Sequence, residues 1–110
     1  MPVKSYQDDL LLRLSNPDYA ARYLKVALDE TLEDRHTEAF LLALKNVVEA
    51  KGDVKTIATE ADITRQHLYR LLSGNGNPTL ETLAAVLKAV GLSIDFRPIT
   101  EESIKQEISA

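Results

Sequence analysis

The side chains best suited to chemistry are concentrated in residues 65–70, which read Arg-Gln-His-Leu-Tyr-Arg. Five of them are polar or aromatic: Arg65, Gln66, His67, Tyr69 and Arg70. The stretch contains no acidic residue, although the whole chain has 17 acidic residues against 13 lysines and arginines. Arginine and glutamine hydrogen-bond base edges in the major groove of DNA, and polar donors hydrogen-bond phosphates. These residues therefore predict a DNA-binding surface, provided that one helix presents them together.

Two short predicted helices, residues 54–61 and 65–72, must position these side chains, with a turn at residues 62–64 between them. Their apolar or small residues recur at helical spacing and point into the angle between the helices: Ile57, Ala58, Ala61, Ile63, Leu68 and Leu71. Thr64 can cap the second helix with its hydroxyl. This pattern is typical of a helix-turn-helix, although a corner between two helices in any all-helical domain has the same inward residues. The acid-free outward face favours DNA binding.

Length and composition limit the class of protein. The 110 residues suit a single domain that can bury a core without disulfides or metal. The chain has no cysteine, which excludes disulfides and thiolate chemistry. It has no leader and no apolar run of about 20 residues, the length that spans a bilayer. We therefore expect a cytoplasmic protein with no membrane segment.

Charge is distributed unevenly around a formal net charge of −4. Residues 1–44 carry five basic and eight acidic side chains, residues 45–75 carry five and four, and residues 76–110 carry three and five. The net negative charge argues against a protein that coats nucleic acid indiscriminately, because such binding depends on neutralising phosphates. The segment that is not acidic contains the predicted helix-turn-helix. Since its surplus is a single positive charge, we expect DNA binding to need two copies of the chain.

The rest of the chain predicts further helices around this motif. Two N-terminal helices, residues 6–14 and about 19–31, precede a longer helix over residues 34–51. Residues 73–78 predict a loop, and residues 79–90 predict a last helix. That last helix directs five apolar residues inward: Leu80, Leu83, Val86, Leu87 and Val90. We thus predict an all-α chain with an N-terminal helical extension (1–33), a helix-turn-helix domain (34–98) and a tail (99–110).

Residues 92–97 predict a short C-terminal strand. Leu92, Ile94 and Phe96 alternate with polar residues at period two, and Pro98 closes the segment. A lone strand leaves its backbone groups unpaired, and the sequence predicts no second strand. We therefore expect this strand to pair antiparallel with its own copy in a homodimer. The alternative is that residues 92–97 pack as extended chain on their own bundle.

The run from Phe40 through Ile94 resembles the Cro/repressor-type helix-turn-helix domain. Within that class it is most similar to the HigA-like addiction module antidote family of bacterial and prophage antitoxins. The most specific part is the block over residues 68–83, LYRLLSGNGNPTLETL. Residues 23–28 also resemble the N-terminal extension of that family. The resemblance implies a lambda-repressor-like DNA-binding helical bundle.

The resemblance also implies which side chains contact DNA. Arg65, Gln66 and Arg70 would face base edges, since they lie at the start of the recognition helix and one turn along it. The positions near phosphates would be these five: Lys55, Thr64, Tyr69, Asn75 and Asn77. Asp62 departs from the pattern, which usually has glycine there for a left-handed turn. Aspartate tolerates that conformation better than most residues, but its charge opposes DNA.

A protein of this family would bind operator DNA in its own promoter as a dimer and neutralise a small basic toxin of the RelE/ParE type. We expect the toxin to contact the acidic N-terminal helices through an aromatic and apolar set: Tyr6, Tyr19, Tyr23 and Leu24. Such side chains dominate interface energies, and the surrounding acids steer a basic partner. The alternative is that this segment only caps the bundle and buries those tyrosines within its own chain.

Two other classes of function compete with an antitoxin. A prophage-type transcription regulator without a toxin would use the same DNA site, and a small basic toxin-like reading frame beside the gene distinguishes the two. An enzyme is disfavoured because the two histidines, His36 and His67, lie 31 residues apart without metal-ligand spacing. We therefore expect neither a catalytic residue nor a metal or cofactor.

Overall fold

The computed structural model describes residues 5–100, apart from the side chain of Asn75. All regular secondary structure in this range is helical, which agrees with the predicted all-α class but not with the short C-terminal strand. Six α-helices follow in order: α1 Tyr6–Leu14, α2 Pro17–Asp34, α3 Glu38–Lys51, α4 Val54–Ala61, α5 Arg65–Arg70 and α6 Leu80–Ala89. A π-helical turn, Leu71–Asn75, follows α5 directly.

Side-chain caps determine where most of these helices begin. Five of the six start after a residue whose side chain accepts a hydrogen bond from a backbone N–H of the first turn: Ser5, Asn16, Asp53, Thr64 and Thr79. The N–H of Thr56 lies 2.7 Å from Asp53 Oδ1 and holds the pKa of that carboxyl below its usual range. Each cap satisfies a donor that has no partner within the helix.

The break between α2 and α3 differs from the prediction. A helix starting at residue 34 was expected, whereas α2 continues through Asp34 and α3 begins at Glu38. Arg35 ends α2 because it adopts the left-handed conformation (φ 63°), and its N–H donates to the Thr31 carbonyl at 2.7 Å. Arginine carries no strong signal for this conformation, which glycine and asparagine favour. The predicted start was therefore wrong.

All six α-helices contribute to one hydrophobic core, with α3 at its centre. The most deeply buried large side chains of that core come from α3 to α6: Leu41, Leu44, Val48, Ile57, Leu68 and Val86. Leu10 and Leu14 of α1 and Leu24 of α2 join the same core, and burying one such side chain contributes about 1.5–3 kcal/mol. The predicted boundary at residue 33 does not separate two cores. The division into an extension and a DNA-binding domain stays a prediction about function.

The predicted C-terminal strand is not formed within the described residues, because residues 92–97 have no ladder partner there. Leu92 is half-buried, and its N–H donates to the Leu87 carbonyl at 2.8 Å. Ile94 is exposed, and Phe96 is 89% exposed, so its ring does not pack on its own bundle. Pairing with a second copy stays a prediction. Residues 101–110 of the predicted tail lie outside the described range.

Candidate nucleic-acid interface and the α2–α3 groove

The turn between α4 and α5 is built from local hydrogen bonds. Asp62 adopts the left-handed conformation (φ 59°, ψ 44°), as expected where the related pattern has glycine. The Ile63 N–H then donates to the Ala58 carbonyl at 3.0 Å, which closes the end of α4. Thr64 Oγ1 accepts a hydrogen bond from the His67 N–H at 3.0 Å and caps α5. The turn therefore sets the direction of α5.

Burial on one side of α5 leaves its opposite side exposed. Leu68 is completely buried and packs in the core with Ile57 and Ala58 of α4. The exposed side of α5 carries four of the predicted DNA contacts, which we call the donor face: Arg65, Gln66, Tyr69 and Arg70. Among residues 5–100, no hydrogen bond or ion pair engages the side chains of Arg65, Gln66 or Arg70. Their donors are available to a ligand.

The remaining predicted DNA contacts lie around the donor face. Thr64 is exposed at the start of α5, and Lys55 is exposed in the first turn of α4. Asn77 is exposed in the loop that follows the π-helical turn. Asn75 belongs to that turn, and its side chain lies outside the described set.

Two glycines hold the loop after α5 in place. A Cβ at Gly76 would lie 2.9 Å from the Leu71 Cα. The backbone at Gly76 therefore lies closer to the end of α5 than a residue with a side chain would allow. Gly74 has φ 88°, and a Cβ there would lie 3.0 Å from Cγ of Glu38. Both positions therefore require glycine.

This loop forms a cleft beside the donor face that the sequence did not predict. The cleft has a volume of about 390 Å³ and is lined by His67, Arg70 and the loop residues Asn77 and Pro78. His67 is exposed and was assigned no contact by the resemblance. The sequence feature that could have indicated His67 is its position one helical turn after Thr64, in the same polar stretch as Arg70.

The structure separates the four residues predicted to contact a toxin. Tyr6 is exposed on α1, whereas Leu24 lies in the core and is only 6% exposed. Tyr19 and Tyr23 are half-buried and line a groove between α2 and α3 with a volume of about 540 Å³. The two tyrosines are thus brought together, and Leu24 serves the packing of its own chain.

Small residues and two exposed apolar residues shape this α2–α3 groove. Its lining includes Ala27 of α2 and Ala39 and Ala43 of α3, whose short side chains leave space between the helices. Val26 of α2 and Leu42 of α3 also line it, and both are exposed. Helical periodicity alone does not show which flank of a helix a neighbour covers, so the exposure of Val26 is decided by the packing of α2 on α3.

Polar contacts fix the tyrosines at the edge of the groove. The Tyr23 hydroxyl accepts a hydrogen bond from Asn46 Nδ2 at 3.0 Å. A side-chain hydrogen bond with Tyr19 and the charge of Asp9, whose carboxylate lies 3.2 Å from the guanidinium, raise the pKa of Arg13 above its ordinary value. Arg13 is therefore paired with Asp9 along one side of α1.

None of the helices within residues 5–100 combines the length and the apolar character needed to cross a bilayer. The same residues contain no group of three or more potential side-chain ligands that could hold a metal ion.

Comparison with known proteins places the chain in a family. A family model described as a probable addiction module antidote protein matches residues 6–98, from α1 to the segment beyond α6. An uncharacterized protein of Haemophilus influenzae is 39% identical over 74 residues, which cover 67% of this chain and 75% of that relative. No solved structure matches the chain significantly. The chain belongs to the family of probable addiction module antidote proteins.

Proposed function

We propose that this protein is the antitoxin of a toxin–antitoxin pair, that it binds operator DNA as a dimer to repress its own operon, and that it neutralises a small basic toxin of the RelE/ParE type. The observation that carries the proposal is an acid-free donor face on a member of an antidote family. Membership of this family favours an antitoxin over a plain transcription regulator, and a binding protein over an enzyme.

The availability of the donor face supports DNA binding. Arg65 and Gln66 lie in the first turn of α5 and Arg70 at its end, and their side chains have no partner among the described residues. Arginine pairs bidentately with guanine and glutamine with adenine, each pair giving about 1–3 kcal/mol of discrimination. Lys55, Thr64, Tyr69 and the loop asparagines would then contact phosphates.

An exposed apolar segment supports a dimer. Ile94, Phe96 and Ile99 are exposed within eight residues of the half-buried Leu92, and covering them requires another surface. Pairing of residues 92–97 across a two-fold axis would bury this segment and satisfy its backbone. A dimer would carry two copies of α5, and helix-turn-helix dimers generally bind half-sites about 34 Å apart.

The charge of the N-terminal helices supports a basic protein partner. α2 carries five acidic side chains and two basic ones, and Tyr6, Tyr19 and Tyr23 provide aromatic surface on α1 and α2. Acidic surface around aromatic anchors steers a basic partner and contributes to affinity.

Co-expression with the product of the neighbouring gene tests this function. We expect the two proteins to co-purify, the toxicity of the neighbour to disappear, and the purified antitoxin to protect a palindromic segment of its own promoter from nuclease. Promoter binding without a toxic or co-purifying neighbour would favour the transcription regulator instead. A chain that binds neither the promoter nor the neighbouring product would refute the proposal.

A further inference from the structure

The α2–α3 groove has the length and the lining to accept a helix. Arg22 and Glu30 line it eight positions apart along α2, which corresponds to about 12 Å at about 1.5 Å per residue, or just over two helical turns. Ala27, Ala39 and Ala43 provide small side chains between the two helices. Helix axes approach one another to about 8 Å where such small side chains meet.

Both helices expose apolar side chains along the groove, and a partner that covers them would remove this apolar surface from water. Val26 is 59% exposed, and Leu42 on α3 is exposed as well. Apolar surface bordered by polar residues marks a site of protein contact. An amphipathic helix would bury its apolar face between Val26 and Leu42 and keep its polar face in water.

Charge decides which occupant fits. Residues 29–34 of α2 contain four acidic side chains. Asp29 is paired with Lys25 at 2.8 Å, but Glu30 and Glu33 have no ion pair among residues 5–100. Glu30 lines the groove. The end of the groove at Glu30 therefore attracts lysine or arginine.

Two occupants from this protein itself fit the charge poorly. Residues 101–110 carry three glutamates against one lysine, so this segment would be repelled by the acidic end of α2. A second copy of α2 packed parallel to the first would bring the same four acids against each other. Like charges placed opposite one another at an interface cost free energy.

We infer that the α2–α3 groove binds a basic amphipathic helix of the toxin, with its lysines or arginines beside Glu30 and its apolar side chains between Val26 and Leu42. This inference rests on the proposed function, because it names the contact surface for the proposed toxin. It shifts the centre of the toxin site from Tyr6 and Leu24 to the groove.

The test compares two matched substitutions on α2. Val26→Asp puts a charge in the groove, and Leu32→Asp puts the same charge on a residue that is 70% exposed and outside the groove lining. Binding to the purified product of the neighbouring gene is measured by calorimetry, with thermal unfolding and operator binding as controls. We expect Val26→Asp to weaken binding at least tenfold and Leu32→Asp to change it less than twofold.

A charge reversal tests the same site without altering an apolar residue. Glu30→Lys should also weaken binding at least tenfold and reduce its dependence on salt, since Glu30 is exposed and plays no part in the core. If the wild type binds the toxin and the groove variants bind it equally well, this inference is wrong and the proposed function stands. If the wild type does not bind or neutralise the toxin, the proposed function fails and the inference fails with it.

Deletion of residues 101–110 tests the competing occupant. We expect the amide chemical shifts of Val26 and Leu42 to remain unchanged in the shortened protein. Shifts at both positions would identify the chain's own C-terminal segment as the occupant and would overturn the inference.

Discussion

Asn46 of α3 donates a hydrogen bond from Nδ2 to the Tyr23 hydroxyl of α2 at 3.0 Å. The other end of the same amide accepts a hydrogen bond from Gln7 Nε2 of α1, also at 3.0 Å. One half-buried side chain therefore joins three helices at the edge of the α2–α3 groove. This arrangement predicts that the Tyr23 hydroxyl stabilises the fold as well as shaping the groove.

Tyr23→Phe should lower the free energy of unfolding by about 1 kcal/mol, because it leaves a partly buried amide donor without its partner. Urea denaturation measures this loss. Tyr6→Phe is the matched control, since Tyr6 is exposed. The Tyr6 hydroxyl makes no hydrogen bond to another described residue. Equal stability of the two variants would show that the Asn46 contact contributes nothing.

Gln66→Ala and Lys55→Ala should affect operator binding in different ways. Loss of a bidentate contact to adenine should relax the preference at one base pair of each half-site, by about 1–3 kcal/mol. Loss of Lys55 should weaken binding to all sequences alike and reduce the slope of log affinity against log salt by about one. Competition assays with single-base operator variants at several salt concentrations measure both effects, and unchanged binding by both variants would rule out this docking of α5.

Ile94→Asp should dissociate the dimer, because it places a charge in the proposed seam between two copies of residues 92–97. Sedimentation velocity reports the change in mass. Leu80→Asp is a suitable control, since Leu80 is 72% exposed and lies outside that segment. A dimer that survives Ile94→Asp unchanged would remove residues 92–97 from the interface.

The Asp53 cap of α4 should make stability depend on pH in acid. The Thr56 N–H lowers the pKa of Asp53 from its ordinary value of 3.8, so the unfolded chain binds this proton more readily than the folded chain. The stabilisation is fully present above the ordinary value and is lost as pH falls through the lowered one. Asp53→Asn keeps a capping oxygen but does not titrate.

Thermal unfolding of Asp53→Asn and the wild type over an acid series checks this expectation. The wild type should lose its advantage over the variant below pH 3.8. A difference in melting temperature that stays constant down to strong acid would contradict the role of the charged carboxylate.

Local interactions explain why parts of the fold were predictable from the sequence. The bounds of α1 and α4 are those predicted, because each helix begins at a capping side chain and carries its own apolar periodicity. Asp62 adopts the left-handed turn that its position required, and Thr64 caps α5 as expected. The exposed donors of α5 also follow from local spacing, because Leu68 fixes which side faces inward.

Contacts between residues distant in the sequence decided which apolar side chains are buried and which are exposed. Leu80 was expected inward with the apolar face of α6 but is 72% exposed, and Leu24 was expected at a partner surface but lies in the core. Helical periodicity defines an apolar stripe but not how much of it a neighbouring helix covers. That depends on how helices pack across the chain, and only the packing of α2 on α3 leaves Val26 in water at the edge of a groove. The sequence by itself therefore determined the order of the helices, the Thr64 cap and the donor face, whereas the tertiary structure decided which apolar residues are left for a partner.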